Sequence, residues 1–176
     1  GTPGRGATLI RTGGGRDVLV VQVMTRLFME ALDDPFRAVE DALAEHDMGR
    51  TVDAVIVDVH GEATSEKMAM GHMLDGRVSM VVGSHSHVPT ADAQVFTGGT
   101  AYQTDAGMCG DYDSVIGMEK DEAIARFVTR MRRERLSPSS GEGTLCAVYC
   151  ETDDATGRAL RVCPVRQGGR LAPALP

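Results

Sequence analysis

Val52-Asp53-Ala54-Val55-Ile56-Val57-Asp58-Val59 runs directly into His60-Gly61-Glu62-Ala63-Thr64-Ser65-Glu66. The first part is a β-branched apolar run of strand length, and the acidic and hydroxyl residues after Gly61 are those that open helices. A helix is therefore expected from about Ser65 to Leu74, capped by Thr64 or Ser65 and stopped by Asp75-Gly76. A second apolar run, Arg77-Val78-Ser79-Met80-Val81-Val82, follows and delivers Gly83-Ser84-His85-Ser86-His87. Strand, helix and strand in this order need a crossover, and such crossovers join parallel strands, so the fold class is α/β. Open sheets of this kind keep their sites beyond the C-terminal ends of the strands. His60, His85 and His87 all fall there.

Imidazoles at neighbouring strand tips suggest a metal. In extended backbone residues i and i+2 point the same way, so His85 and His87 can converge, and His60 arrives from the adjacent strand. Neutral imidazoles suit zinc, iron, manganese or cobalt, and one ion with an open position needs about three protein ligands. A pair of ions about 3.5–4 Å apart needs carboxylates as well. Asp58 is the best local candidate because it lies two residues before His60 and projects to the same side; Glu62 and Asp92 follow. Asp105 is placed to hydrogen-bond a ligand histidine from behind, or to cap a turn. Two loop histidines engaged only in hydrogen bonding are the plain alternative. No HExxH, Walker A or GxSxG sequence is present.

Outward from this core the chain reads as strands and two more helices. Ala7 to Arg11 and Asp17 to Val23 flank Thr12-Gly13-Gly14-Gly15-Arg16, a hairpin. Met24 to Leu32 is ambiguous. Asp34 caps a helix that has Pro35 at its first position and reaches about His46, with Phe36, Val39, Ala42 and Leu43 inward. His46 at its end and His72 within the next helix read as solvated or structural residues rather than ligands, and Met68, Met70 and Met73 as core filler. Gln94 to Phe96 and Ala101 to Thr104 form another hairpin around Thr97-Gly98-Gly99-Thr100. Asp105 to Met118 is a long irregular stretch of the kind that carries function. Asp121 to Arg135 is expected as an amphipathic helix with Ile124, Phe127, Val128 and Met131 inward. A last antiparallel pair, Thr144 to Cys150 and Arg158 to Pro164, is followed by a tail expected to fray from Gln167.

Composition excludes several classes. At 176 residues, 42% hydrophobic and 24% charged, the chain suits one ordinary globular domain. A net charge of −7 and 4% aromatics with no Trp oppose bulk nucleic-acid binding, though not a small phosphate ester. No run approaches the roughly 18 apolar residues of a membrane span and no leader opens the chain, so a cytoplasmic location is expected. The four cysteines lack CxxC spacing and read as reduced thiols. Gly1-Thr2-Pro3-Gly4-Arg5-Gly6 has no initiator Met and reads as the inside of a longer product.

The motifs Asp58-Val59-His60-Gly61-Glu62-Ala63-Thr64-Ser65-Glu66-Lys67, Leu74-Asp75-Gly76-Arg77-Val78-Ser79 and Val82-Gly83-Ser84-His85-Ser86-His87-Val88-Pro89-Thr90-Ala91-Asp92 resemble the YmdB family of bacterial metallophosphoesterases. Gly98-Gly99-Thr100-Ala101-Tyr102, Thr104 to Met108, Tyr112 to Met118 and the opening glycine-rich segment extend the likeness over nearly the whole chain. The resemblance implies a layered α/β sandwich of the calcineurin-like metallophosphoesterase type, incomplete at its N-terminus. It also implies a dinuclear site of iron, manganese or zinc and hydrolysis of small phosphodiesters such as 2′,3′-cyclic nucleotides. By the same resemblance His60 and His85 would hold one metal and His87 the other. An Asp, a bridging Glu, Asn ligands and a catalytic His would come from a preceding part that does not map onto this sequence, so this chain alone would hold about half the coordination sphere and could bind one ion or none. A homo-oligomer is compatible with it. A silent metal-binding or regulatory domain and a mononuclear hydrolase are the competing readings.

Overall fold

The computed structural model describes residues 3–30 and 32–176; Gly1, Thr2 and Ala31, and with them the start of the opening motif, lie outside. Among the described residues two sheets and three helices are formed. The larger sheet contains β1 (Ala7–Arg11), β2 (Asp17–Met24), β3 (Ala54–His60), β4 (Met80–Ser84), β5 (Gln94–Val95) and β6 (Ala101–Gln103), in the order β1-β2-β3-β4-β6-β5. β2, β3, β4 and β6 run parallel, and β1 and β5 are antiparallel edges. In register, Met24 lies beside His60 and His60 beside Ser84, so three strand tips end level. The smaller antiparallel sheet consists of β7 (Gly110–Asp111), β8 (Gly143–Thr152) and β9 (Ala159–Gln167).

Alternation along the parallel strands assigns each face its cover. Leu19, Val21, Val23, Val55, Val57, Val59 and Val81 point to one side, where α1 (Pro35–Leu43) and α2 (Thr64–Met73) bury them under Val39, Leu43, Met70 and Leu74. Ile56, Met80, Val82 and Ala101 point to the other, against Val148, Cys150, Ala159 and Val162 of β8 and β9. The molecule is thus layered helix, sheet, sheet. Among the described residues no helix is long and apolar enough to cross a membrane.

Local signals explain most boundaries. Asp34 caps α1 as expected, its carboxylate accepting the N–H groups of Phe36 at 2.9 Å and Arg37 at 3.4 Å, and the helix stops at Leu43, short of His46. Asp34→Ala is expected to cost about 1 kcal/mol in urea unfolding. The cap of α2 differs from expectation. It is Ala63, whose methyl side chain can accept no hydrogen bond, and the Glu66 carboxylate of the first turn reaches across to the N–H groups of Arg26 and Leu27. Met70 and Met73 pack in the core as expected, whereas Met68 is exposed.

Two further expectations are corrected. α3 spans only Lys120–Thr129, ended by Arg130 at φ 56°, and buries only Ala123 among its residues. Ile124, Phe127, Val128 and Met131 face outward: their spacing marks a stripe but does not say what covers it. The tail does not fray, because Arg166 and Ala174 exchange backbone hydrogen bonds of 2.8 and 3.0 Å.

Candidate metal centre

β3 delivers His60 as its last residue, and β4 delivers His85 one residue past its end. The two rings meet edge-on, with His60 Nε2 and His85 Nδ1 3.2 Å apart. Two nitrogens each about 2.0–2.1 Å from one tetrahedral ion lie about 3.3 Å apart, so this spacing suits two ligands of one metal as well as it suits an N–H···N hydrogen bond between the rings. The outer nitrogen of each ring has its own partner. His60 Nδ1 lies 3.1 Å from Ser84 Oγ, and that hydroxyl donates to Asp58 Oδ1 at 2.7 Å while Gln22 donates to the other Asp58 oxygen at 3.2 Å. His85 Nε2 lies 3.1 Å from Glu62 Oε2. With Ser84 and Glu62 taking the outer protons, the lone pairs left are those that face each other. Carboxylates behind ligand imidazoles fix ring orientation and tautomer in this way.

Asp58 and Glu62 therefore act on the histidines rather than beside them. Burial pushes the His60 pKa below its ordinary value, and the adjacent His85 ring adds to the effect, which favours the neutral imidazole a cation requires. His60 also lines an open cleft of about 570 Å³ together with Arg5, Gly6, Gln22, Val23 and Met24.

His87 stands apart. The rule that i and i+2 share a side holds for extended backbone, but φ is 113° at His85 and 65° at His87, both left-handed. The segment turns, and His87 Nδ1 donates to the carbonyl of Ile116 at 2.9 Å, which leaves Nε2 as the nitrogen with a lone pair to offer. The Tyr112 hydroxyl, also within reach of Met108 and Cys146, donates to the His87 carbonyl at 3.1 Å. Among the described residues no three His, Cys, Asp or Glu side chains gather closely enough to hold an ion. The donor set fits a metal as two converging imidazoles plus a third imidazole nearby in sequence but separately oriented.

Asp105 holds the backbone of the loop rather than a histidine ring, which corrects the expectation of a direct bond to a ligand imidazole. Burial raises its pKa, but the N–H groups of Ser86 and Gly107 and the Lys67 ammonium outweigh this and hold it below the usual carboxylate range. Asp92 is used structurally, accepting the Thr104 N–H at 3.2 Å and the Thr104 hydroxyl at 2.5 Å. His72 stacks on Phe96 at 4.3 Å, on the helical side of the sheet. Sequence reasoning missed Ser84 and Lys67. The signal for Lys67 was its place in the stripe Ala63, Lys67, Met70, Leu74, whose spacing is that of a core-facing helix side.

A family model of YmdB-like proteins matches residues 1–165. The chain is 41% identical over 162 residues to a 2′,3′-cyclic-nucleotide 2′-phosphodiesterase of Bacillus subtilis (strain 168), an alignment covering 92% of this chain and 60% of the relative. A crystal structure of a hypothetical protein from Thermus thermophilus superposes with a TM-score of 0.87 at 45% identity, over 97% of this chain and 64% of the other. That of a novel phosphatase from Mycoplasma pneumoniae gives 0.81 at 30%, over 94% and 58%. The chain thus spans about three fifths of the length of these proteins.

Proposed function

Because this chain belongs to the YmdB-like family, we propose that it is the C-terminal portion, residues 1–176, of a metal-dependent phosphodiesterase domain and carries about half of the metal site. The observation that supports this most is the 3.2 Å approach of His60 Nε2 to His85 Nδ1, each ring backed by its own hydrogen-bond partner. In this reading His60 and His85 hold one divalent metal, and His87, oriented by the Ile116 carbonyl, offers Nε2 to a second; iron, manganese and zinc all suit such donors. Bound metal supplies Lewis-acid stabilisation of charge developing on a phosphoryl group. The chain's own residues do the positioning: Asp58 through Ser84 orients His60, Glu62 orients His85, and Asp105 and Tyr112 fix the backbone of the histidine loop. The name of the Bacillus relative suggests 2′,3′-cyclic nucleotides as substrate.

The reading of a chain that binds metal without turnover draws on a specific observation too, since the described residues gather no third ligand with His60 and His85. Elemental analysis and a phosphodiester assay separate the two. After manganese loading and desalting, the 176-residue chain is expected to retain no more than one ion and not to hydrolyse bis-p-nitrophenyl phosphate or 2′,3′-cyclic AMP. The same chain fused behind the part of the Bacillus relative that it does not match is expected to hold two and hydrolyse both. Two ions in the short chain would refute the divided site. A fused protein that held two ions yet cleaved neither ester would refute the phosphodiesterase.

A further inference from the structure

We infer that Lys67 is a positioning residue for the metal-ligand pair: with the Asp105 carboxylate it clamps the backbone on both sides of His85 and thereby sets the spacing between His85 and His60. The inference rests on the metal-site reading above. Lys67 and Asp105 form an ion pair of 3.1 Å in which each side chain is only 1% exposed. The Lys67 ammonium also donates to the Ser84 carbonyl at 2.7 Å, on the N-terminal side of His85. Asp105 Oδ2 accepts the N–H of Ser86 at 2.9 Å, on the C-terminal side, and Oδ1 accepts that of Gly107 at 2.9 Å. His85 is thus held at φ 113° from both flanks. Backbone in so sparsely populated a region persists only where the surroundings over-determine it.

The same clamp reaches His60. The Ser84 carbonyl that takes the Lys67 proton also accepts the N–H of Gly61 at 3.2 Å, immediately after His60. One ammonium therefore bonds to the carbonyl at which the flanking backbones of both histidines meet. A Cβ on Gly83 would lie 1.7 Å from the Thr104 carbonyl oxygen and 2.8 Å from Lys67 Cδ, so the glycine of Gly83-Ser84-His85-Ser86-His87 admits that main-chain segment and, beside it, the lysine stem from α2. Stability alone gives little reason for the pair, because a buried ion pair is often no better than apolar side chains of the same volume. The geometry it imposes is what such a replacement would lose.

The test measures Ni²⁺ affinity of the 176-residue chain by titration calorimetry, with the imidazole proton resonances of His60 and His85 as a second readout. Lys67→Met keeps the stem and removes the ammonium; Met70→Ala, in the same helix and 0% exposed, destabilises without touching the loop. Lys67→Met is expected to weaken Ni²⁺ binding about 10- to 100-fold, as loss of a supporting residue does, and to shift the His85 resonances, whereas Met70→Ala leaves both in place. Lys67→Met/Asp105→Asn removes both buried charges together and carries the comparison if the single variant does not fold. It is expected to be more stable than Lys67→Met yet to remain weak in Ni²⁺ binding. Binding by Lys67→Met equal to the parent, a loss matched by Met70→Ala, or full recovery in the double variant would each overturn the inference. Unchanged Ni²⁺ affinity in His85→Ala would instead overturn the metal-site reading, and this inference with it.

Discussion

His85→Ala is expected to lower the affinity of the chain for a divalent transition metal by at least about 100-fold, beyond what loss of an outer partner typically costs, while changing stability little. The His85 ring supplies one of two converging nitrogens, and His60 alone keeps a single imidazole with Ser84 and Asp58 behind it. Glu62 does not replace it, because its carboxylate is placed to receive the outer His85 proton rather than to face His60. The side chain of His85 is 32% exposed, and histidine tolerates the positive φ only modestly better than alanine, so folding should lose no more than about 1 kcal/mol. Calorimetric titration with Ni²⁺ measures the first quantity and urea unfolding the second. Affinity equal to that of the unsubstituted chain would show that metal is held elsewhere.

Gly83→Ala is expected to destabilise the fold by about 3 kcal/mol and to abolish metal binding along with it, at the upper end of what overpacking costs. The reason is space rather than backbone freedom. A Cβ there would stand 1.7 Å from the Thr104 carbonyl oxygen and 2.7 Å from its carbon, both main-chain atoms, as well as against Lys67 Cδ. The clash cannot be relieved by turning a side chain. β4 would have to move away from the segment that follows β6, breaking the bond from Ala106 N–H to the Gly83 carbonyl at 3.0 Å and dragging Ser84 and His85 with it. Equilibrium urea unfolding at unchanged slope reads the loss. A change under about 0.5 kcal/mol, the usual size for a harmless surface substitution, would mean that the two segments are not packed as described.

The chain's own pattern determined the architecture and the end of the sheet at which the three histidines gather. Runs of β-branched residues bounded by glycine and acidic turns specified β2, β3 and β4, and the helix between β3 and β4 required them to be parallel, which put His60, His85 and His87 at one end of the sheet. Asp34 before Pro35 specified a helix start by chemistry that acts within three residues. Such features are local, and a single sequence carries them. What needed the tertiary structure was every property that depends on a distant segment. The cap of α2 is not Thr64 or Ser65, and Glu66 instead meets a loop forty residues upstream. The apolar stripe of α3 stays uncovered because amphipathic spacing does not name a partner. Most of all, the separation of His87 from His85 follows from two left-handed residues, and backbone that unfavourable is imposed by Lys67 of α2 and by Asp105 and Tyr112 of the segment after β6. Spacing placed the histidines at one end of the sheet, and long-range hydrogen bonds decided which two of them face each other.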